Sequence, residues 1–333
     1  MKLATWRGGP TFTIDEVQAP VAGPGQAVVA VHAAGICGTD VHATQGLFPW
    51  TPPMVMGHEY TGVVQEVGRG VSRRLVGRAV ACEPSYGCGI CAECAEGRVS
   101  QCPRCTRVGG FAERVALPVS CLHPLPRGLD PVTAALSEPA ACCLAGLEQF
   151  RMPRGATVLV LGGGIMGLLT MVLAGRRGAR RLILSDPIAE RRAMAKRLGA
   201  STVIDPTREN LRERVEALTR GRGADVVCEA VGKPALVAEA LTLVRPRGVL
   251  QLVGVNPKGS TLPLDLWDVH FREISIHGAF GRGGAFRRAL ALMPKLGVKP
   301  LVTAKFPLQR IEDAFAHATA GRGVKTVITP NLR

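Results

Sequence analysis

The apolar positions in the first 130 residues form short runs that glycine and proline interrupt. Ala27–Val31, Gly62–Val67 and Ala79–Ala81 are examples. Short apolar runs between turn-forming residues are typical of β-strands, because glycine and proline end an extended segment and redirect the chain. This part of the chain is therefore predicted to be rich in strands.

From about residue 131 the pattern changes to strand-like runs that alternate with longer segments of helical spacing. The predicted strands are Val158–Leu161, Arg181–Ser185, Val203–Ile204, Val226–Cys228 and Val249–Val253. The predicted helices among them are Met166–Gly175, Ile188–Leu198, Asn210–Arg220 and Pro234–Val244. Alternation of this kind builds a parallel sheet with helices on both faces. Two helices, Gly284–Leu296 and Ile311–Ala320, and a strand, Lys325–Ile328, are predicted after it.

A chain of 333 residues is longer than a typical single domain, so two domains are expected. The predicted fold class is α/β, with a β-rich domain and a doubly wound parallel-sheet domain.

Composition and charge narrow the classes of partner. The formal net charge is +15, but the basic residues are dispersed and only 4% of residues are aromatic, so a nucleic-acid partner is not expected. The longest uncharged stretch, residues 157–175, contains three adjacent glycines, which predict a turn rather than a membrane span. The N-terminal residues do not resemble a secretory signal, which favours a cytoplasmic protein.

A glycine-rich turn marks a candidate nucleotide site. Gly162, Gly164 and Gly167 satisfy the spacing G-x-G-x-x-G between a predicted strand and a predicted helix, and Asp186 follows Gly167 by 19 positions. Such glycines let the backbone and the helix N-terminus approach a pyrophosphate. An acid at the Asp186 position accepts hydrogen bonds from ribose hydroxyls and repels a 2′-phosphate, which favours NAD over NADP; Arg191 and its neighbour could soften that preference.

Four cysteines, Cys88, Cys91, Cys94 and Cys102, follow the spacing C-x2-C-x2-C-x7-C. Four clustered thiolates suit a closed tetrahedral zinc site, which leaves no position for a substrate. Disulfides would need an oxidising compartment, and an iron–sulfur cluster remains an alternative because its ligands are spaced similarly. Cys105 is a competing candidate for the fourth ligand.

A second set of possible metal ligands is mixed in type: Cys37, His58, Glu59 and Glu138. Each residue alone has an ordinary structural explanation, such as a small core residue for Cys37 or a first-turn helix acid for Glu138. Together they offer thiolate, imidazole and carboxylate ligands, and mixed sets that leave one coordination position open are typical of catalytic zinc.

The chain resembles the zinc-dependent medium-chain alcohol/polyol dehydrogenases across nearly its whole length. The motifs that carry the resemblance are Gly-Ile-Cys37-Gly-Thr-Asp-Val-His42, Gly57-His58-Glu59, the four-cysteine segment, Gly110-Phe111-Ala112-Glu113, Ser137-Glu138-Pro139, Gly162–Gly167 and Asp186. Glu138 stands where simple-alcohol dehydrogenases carry a cysteine, so the chain is more similar to the sorbitol and threonine dehydrogenase branches. Cys142, four residues on, is the alternative ligand.

The resemblance implies a GroES-like catalytic domain that comprises residues 1–148 and 283–333, and a Rossmann-type NAD domain that comprises residues 149–282. It also implies two zinc ions per chain, one catalytic and one structural. By the same resemblance Cys37 and His58 bind the catalytic zinc, while Glu59 and Glu138 bind it or hold its water. Thr39 passes on the alcohol proton, and His42 completes a relay to solvent. Cofactor contacts beyond the glycines and Asp186 are expected from Ile165, Met166, Arg191, Val231, Val253 and Ala279.

The predicted activity is oxidation of a secondary alcohol of a polyol or sugar-derived compound by hydride transfer to NAD⁺, in a homodimer or homotetramer. Threonine-type amino-alcohol and simple-alcohol dehydrogenases are the alternatives within this class. A zinc-ribbon-like nucleic-acid-binding or scaffold protein is the alternative from another class, and it gives no role to Cys37, His58 or Asp186.

Overall fold

A computed structural model describes residues 1–331 of the chain. Its strands are β1 Lys2–Gly8, β2 Thr11–Glu16, β3 Gln26–Gly35, β4 Met54–Val55, β5 Glu59–Val67, β6 Ala79–Cys82, β7 Ser85–Tyr86, β8 Thr106–Arg107, β9 Arg114–Pro118, β10 Leu122–Pro124, β11 Thr157–Leu161, β12 Arg181–Ser185, β13 Thr202–Ile204, β14 Ala224–Glu229, β15 Val244–Leu252, β16 Ser275–Gly278, β17 Val302–Pro307 and β18 Lys325–Thr329. Its α-helices are α1 Gly38–Thr44, α2 Ala92–Ala95, α3 Pro131–Ala134, α4 Ser137–Leu147, α5 Ile165–Arg176, α6 Ala189–Arg197, α7 Leu211–Thr219, α8 Pro234–Leu243, α9 Leu266–Arg272, α10 Phe286–Leu296 and α11 Ile311–Thr319.

The chain divides into two compact units. The first consists of Met1–Ala141 together with the segment that begins at Arg282, and the second is Cys142–Gly281. The α/β fold class predicted from the sequence is confirmed, with a strand-rich first unit and alternating strands and helices in the second.

The first unit is built on a seven-stranded sheet with the order β10-β6-β5-β3-β18-β17, in which β9 also pairs with β3. A second sheet, β2-β1-β4, and a short ribbon, β7-β8, complete its strands. Trp6, Tyr60, Phe111 and Phe315 belong to one buried cluster. Because β18 pairs antiparallel with β3, the last strand of the chain lies beside the strand that leads to Cys37.

The second unit holds a six-stranded sheet with the order β13-β12-β11-β14-β15-β16, and every pair is parallel. Numbered within the unit this is the order 3-2-1-4-5-6 of doubly wound dinucleotide-binding folds. Leu159, Ile183, Val227 and Leu250 are fully buried in its core. Strand order reverses at β11, and ligands bind such sheets beyond the carboxyl ends of the strands at that point.

Several elements differ from the sequence-based prediction. Strand β15 begins at Val244, earlier than the predicted Val249, and the preceding helix ends one residue sooner at Leu243. Helix α9 was not predicted; it has only seven residues, and none of them is buried. Within residues 1–331, no helix is both long and apolar enough to cross a bilayer.

Candidate active site

Three of the predicted catalytic ligands come together in the first unit. Cys37 lies between β3 and α1, and His58 and Glu59 lie where β5 begins. One ligand atom from each residue falls within 4.8 Å of the other two. A thiol, an imidazole and a carboxylate at this separation could share one divalent ion and leave a further position open, so the donor set fits zinc.

Glu59 is fully buried and is held by a residue that sequence reasoning missed. The Lys325 Nζ donates to Glu59 Oε2 at 2.6 Å and Oε1 at 2.8 Å, and also to the Ile36 carbonyl at 3.0 Å. Burial disfavours the charged form of Lys325, but Glu59 together with Cys37 and Asp40 outweighs burial, so the pKa of Lys325 lies above its ordinary 10.5. Gly35 makes room for the pair, since a Cβ there would lie 2.2 Å from Glu59 Oε2.

The Asp40 carboxylate lies beside the Nδ1 atom of His58. Its Oδ1 lies 3.4 Å from His58 Nδ1, while its Oδ2 accepts a hydrogen bond from the Cys37 backbone N–H at 2.9 Å. Burial opposes the charged form of His58, but the charges of Asp40 and Cys37 outweigh burial and hold the pKa of His58 well above 6.5. With Nδ1 facing Asp40, Nε2 is left for a metal, which is the usual arrangement of a ligating histidine.

The turn before His58 requires glycine. Gly57 has a φ of +86°, which side chains rarely adopt, and a Cβ there would approach the ring of Phe111 to 2.7 Å. Phe111 is fully buried, so the ring cannot move aside without disturbing the core. The two motifs Gly57-His58-Glu59 and Gly110-Phe111-Ala112-Glu113 therefore pack against each other.

Polar and aromatic side chains surround the group. Thr39 Oγ1 lies 3.7 Å from Cys37 Sγ, and His42, three residues further along α1, is half-buried. Residues three apart on a helix share a face, so His42 lies on the side of α1 that carries Thr39. The ring of Trp50 meets the ring of His58 edge to face, with 6.0 Å between centroids.

Glu138, the second residue of α4, is not part of this group within residues 1–331. Its Oε1 instead accepts a hydrogen bond from Arg282 Nη1 at 3.0 Å. Burial raises the pKa of Glu59 while Lys325 and His58 lower it, and the charge of Glu138 adds to the increase. Cys142, the alternative ligand, is also outside the group among the described residues.

The four cysteines of the C-x2-C-x2-C-x7-C segment lie close together. Cys88, Cys91, Cys94 and Cys102 place their sulfurs within 4.8 Å of one another, and the pairs Cys91–Cys102 and Cys88–Cys102 are 3.7 Å apart. A disulfide is far shorter, about 2.05 Å. A tetrahedral zinc with Zn–S bonds of about 2.3 Å requires sulfurs about 3.8 Å apart, so these thiols fit zinc.

Backbone donors favour the thiolate form in this segment. The hydrogen bond from Ile90 is the largest cause that lowers the pKa of Cys88, to about 6. Gly87 leaves room for the cluster, because a Cβ there would lie 2.4 Å from Cys94 Sγ. Cys105 is a half-buried thiol outside the cluster in the described chain.

The glycine-rich turn has the geometry of a phosphate site. Gly162 follows β11 with a φ of +101°, and Gly164 is the N-cap of α5. A Cβ on Gly167 would lie 1.9 Å from the Gly162 carbonyl oxygen, so only glycine lets α5 start this close to the strand. A Cβ on Gly164 would meet no protein atom within 4 Å, so the space beside it is open.

Asp186 lies at the end of β12 and is 3% exposed. Its Oδ2 accepts from the Gly163 N–H at 2.6 Å and its Oδ1 from the Ile188 N–H at 2.7 Å. Arg191 Nη1 is 3.9 Å from Asp186 Oδ2, whereas Arg192 is bound to Asp205 at 2.7 Å. Each carboxylate oxygen has a second lone pair, so Asp186 retains capacity for ribose hydroxyls.

The other predicted cofactor residues lie around this sheet edge. Ile165 and Met166 are half-buried in the first turn of α5, and the Val231 side chain lies over Gly162. The Val253 N–H donates to the Glu229 carbonyl at 2.8 Å, and the Ala279 N–H donates to the Leu252 carbonyl at 2.9 Å. Glu229 Oε1 accepts from the Val231 and Gly232 N–H groups, both at 2.8 Å, and so fixes the turn after β14.

Lys325, Asp40, Arg282 and Glu229 are site residues that sequence reasoning did not assign. The signal for Lys325 was available: it opens a strand that is otherwise apolar or β-branched, and a lysine is rarely buried without a partner. Asp40 lies inside a motif that was recognised, three residues after Cys37. Nothing in the local sequence indicates Arg282 or Glu229.

Two family models match the chain. The model described as "Alcohol dehydrogenase GroES-like domain" matches residues 23–127, and the model described as "Zinc-binding dehydrogenase" matches residues 166–295. The first matched region contains the Cys37 group and the four cysteines. The second begins at Met166, within the glycine-rich turn, and contains Asp186.

Among curated proteins, a sorbitol dehydrogenase of Halalkalibacterium halodurans is 31% identical over 340 residues, covering 98% of both chains. An L-threonine 3-dehydrogenase of Pyrococcus horikoshii is 33% identical over 335 residues, covering 94% of this chain and 93% of its own. Among solved structures, a zinc-binding dehydrogenase from Sinorhizobium meliloti with NADP bound is 34% identical, with a TM-score of 0.92 and 99% of both chains covered.

Proposed function

Because the chain belongs to the zinc-dependent medium-chain dehydrogenase/reductase family, whose enzymes act on alcohol CH–OH groups, we propose that it oxidises a secondary alcohol of a polyol or sugar-derived compound with NAD⁺. The observation that carries this proposal is the group formed by Cys37, His58 and Glu59, which joins three ligand types within 4.8 Å. Such a set leaves a position for a hydroxyl oxygen of the substrate.

The proposed roles follow from the positions of the side chains. Cys37, His58 and Glu59 hold the catalytic ion, and Cys88, Cys91, Cys94 and Cys102 hold a structural one. Bound at these sites, zinc supplies a Lewis acid that lowers the pKa of the substrate hydroxyl, and NAD⁺ supplies the hydride acceptor. Asp40 orients His58, and Lys325 balances the charge of Glu59. Glu138 stands near the ion as an additional carboxylate.

Thr39 is proposed to move the substrate proton. Its Oγ1, 3.7 Å from Cys37 Sγ, accepts the hydroxyl proton and donates its own onward, with His42 on the same face of α1 as the exit toward solvent. Trp50, edge-on to His58, excludes water from one side of the group.

We propose NAD⁺ rather than NADP⁺ as the preferred cofactor. Gly162, Gly164 and Gly167 with Ile165 and Met166 bind the pyrophosphate, and the buried charge of Asp186 opposes a 2′-phosphate. Val231, Val253 and Ala279 line the remainder of the cofactor site. Arg191 favours a phosphate, and the similar Sinorhizobium meliloti protein has NADP bound, so the two cofactors have to be compared directly.

A panel of substrates tests the activity. Polyols, sugars, L-threonine and simple alcohols are offered with NAD⁺ and, separately, with NADP⁺, and reduced nicotinamide is followed by absorbance. We expect the highest kcat/KM with a polyol and NAD⁺. A rate with none of the polyols while the protein holds zinc would contradict the polyol assignment, and a clear preference for NADP⁺ would contradict the role of Asp186.

Oxidation of L-threonine is the second candidate. It is favoured by the similarity to L-threonine 3-dehydrogenases, which is as close as the similarity to sorbitol dehydrogenases. Glu59 and Glu138 would attract the ammonium group of such a substrate. The same panel separates the two candidates, because an amino-alcohol enzyme loses activity when the amino group is replaced by a hydroxyl.

We further propose that the protein is cytoplasmic and assembles as a homodimer or homotetramer. Trp267 and Phe271 on α9 are 71% and 60% exposed and stack on each other, an apolar pair that a monomer rarely leaves in water. Light scattering coupled to size-exclusion chromatography would detect a monomer, which would contradict this assignment.

A further inference from the structure

Arg282 is a buried arginine that joins three separate stretches of the first unit. Its side chain is 8% exposed. Nη1 donates to Glu138 Oε1 at 3.0 Å, Nη2 donates to Ser85 Oγ at 2.6 Å, and Nε lies 3.4 Å from Glu83 Oε2. The guanidinium therefore has partners on each of its edges.

The partners of Arg282 are themselves fixed. Glu83 Oε1 is 2.8 Å from His123 Nε2, and the His123 ring packs against Phe286 with 5.0 Å between centroids. A guanidinium presents its donors in a rigid plane and stays charged at any relevant pH. Arg282 is thus a stationary cation, and its hydrogen bond to Glu138 is of the strong, charge-assisted kind.

A metal at the Cys37–His58–Glu59 group would also attract the Glu138 carboxylate. Strands β5 and β6 pair antiparallel with Tyr60 opposite Cys82, so Glu59 and Glu83 are neighbours just beyond that pair, and Arg282 contacts both Glu83 and Glu138. Within residues 1–331 the oxygens of Glu138 are nevertheless outside the Cys37–His58–Glu59 group. A carboxylate is a good zinc ligand, and a cation bound to Cys37 and His58 would attract it. Arg282 and the metal therefore compete for the same side chain.

We propose that Arg282 is a positioning residue that restrains Glu138 from the metal, so that one coordination position stays open to the substrate. The inference rests on the proposed function, since it presumes a metal at the Cys37 group. The physical reason is that four protein ligands close a zinc site, whereas three leave it open for chemistry. A glutamate that is held but nearby can also accept a hydrogen bond from a substrate hydroxyl without occupying the metal.

The test measures metal binding in Arg282→Gln, Glu138→Gln and the double variant, with Co²⁺ as the probe. The affinity comes from competition with a chelator, and the visible d–d absorption of Co²⁺ reports the number and type of ligands. Cys37→Ser, treated identically, gives the signal of the four-cysteine site, which is subtracted. We expect Arg282→Gln to bind Co²⁺ at the Cys37 group about tenfold more tightly, because Glu138 becomes a ligand.

Three further results are expected together. The absorption spectrum of Arg282→Gln changes, the gain in affinity disappears in the double variant, and the KM for the substrate rises more than kcat falls. Glu83→Gln removes one negative charge beside Arg282, so the positive charge of Arg282 is less neutralised. Co²⁺ binding should therefore become weaker in Glu83→Gln, whereas it becomes tighter in Arg282→Gln. A purely structural role for Arg282 predicts no gain in Co²⁺ affinity in any variant.

Arg282→Gln leaves two buried acids without their cation, so folding is checked by circular dichroism, and Arg282→Lys serves as the second variant. Lysine keeps the charge but replaces the planar fork by one nitrogen, so its Co²⁺ affinity should lie between those of the wild type and Arg282→Gln. Unchanged or weaker Co²⁺ binding in folded Arg282→Lys or Arg282→Gln, or a gain that survives in the double variant, would overturn the proposal. If the wild type and Cys37→Ser bind Co²⁺ identically, the proposed function itself fails, which is a different outcome.

Discussion

The candidate site depends on charged residues whose partners come from distant parts of the chain. Glu59 and Lys325 are 266 positions apart, and Glu138 and Arg282 are 144 apart. The local motifs around Cys37, His58 and Glu138 could be recognised from the sequence because each is a short run with its own chemistry. Lys325 stands out in its apolar strand, but neither its pairing with Glu59 nor that of Arg282 with Glu138 could be predicted, because only the pairing of β18 with β3 and the return of the chain to the first unit at Arg282 bring these cations near the acids.

At the Glu59–Lys325 pair, replacement of one partner should be costly. Lys325→Met leaves a fully buried carboxylate without its cation, and breaking such a pair typically costs about 3–5 kcal/mol of unfolding free energy. We expect that loss in metal-free protein and a smaller one after zinc is added, because the metal replaces part of the lost positive charge. Chemical denaturation measures both.

Lys305→Met is the matched control, since Lys305 is an exposed lysine on the neighbouring strand β17. It should change the unfolding free energy little. Equal stability of the two variants would show that the buried pair does not contribute as described.

The stability of helix α3 should depend on pH through its capping residue. Asp130 caps α3, and its Oδ2 accepts from the Thr133 N–H at 3.1 Å and the Thr133 hydroxyl at 2.8 Å. Burial raises the pKa of Asp130, but these hydrogen bonds outweigh burial and lower it below 3.8. Because the folded-state pKa is depressed, the stabilisation is complete above 3.8 and is lost as the pH falls through the lower folded-state value.

Asp130→Ala should therefore be about 1 kcal/mol less stable than the wild type at neutral pH. The difference should shrink as the pH falls below 3.8, where the wild-type carboxyl becomes protonated. Urea denaturation across this range checks it. A difference that does not depend on pH would contradict the role given to the carboxylate.

At the scale of elements, the strand-turn-helix unit β11–α5 was predictable because glycine spacing and apolar runs coincide there. The ends of elements were harder to predict. Strand β15, for example, begins at Val244 and includes Arg247, whose φ of +60° is not indicated by the local sequence. Helix α9 was missed because its apolar side chains face outward.

Two glycine variants separate the structural from the cofactor role of the β11–α5 turn. Gly164→Ala adds a methyl group that meets no protein atom within 4 Å, so folding stability should be kept or slightly raised. NADH affinity should nevertheless fall at least about tenfold, because the methyl group occupies space that the pyrophosphate needs. Fluorescence titration with NADH gives the affinity, and thermal melting gives the stability.

Gly167→Ala provides the contrast. Its Cβ would lie 1.9 Å from the Gly162 carbonyl oxygen, so both stability and NADH affinity should fall. Undiminished NADH binding by Gly164→Ala would mean that the open space beside this residue is not where the cofactor binds.

The four-cysteine segment yields a prediction with a built-in control. Cys94→Ser should reduce bound zinc from two ions to one per chain and lower the melting temperature, since structural zinc contributes directly to folding. Cys105→Ser, outside the cluster among the described residues, should retain both ions. Elemental analysis decides between them: loss of zinc from Cys105→Ser but not from Cys94→Ser would exchange their roles.

In the whole molecule, the two units carry different functional motifs. The first carries both groups of possible metal ligands, and the second carries the glycine turn and Asp186. The order of these motifs along the chain sufficed to identify the reaction class, because each motif requires a particular ligand. The substrate could not be identified in this way, because the same motifs occur in sorbitol and L-threonine dehydrogenases, and the chain is similar to both to about the same degree.

We propose that Cys37 belongs to the catalytic metal site. The most direct measurement is the initial rate of NAD⁺ reduction by Cys37→Ala with the best substrate of the panel, with Cys142→Ala as the control for the alternative ligand. We expect Cys37→Ala to keep its fold and one zinc ion per chain but to lose nearly all activity, while Cys142→Ala remains active. A wild-type rate in Cys37→Ala would contradict it.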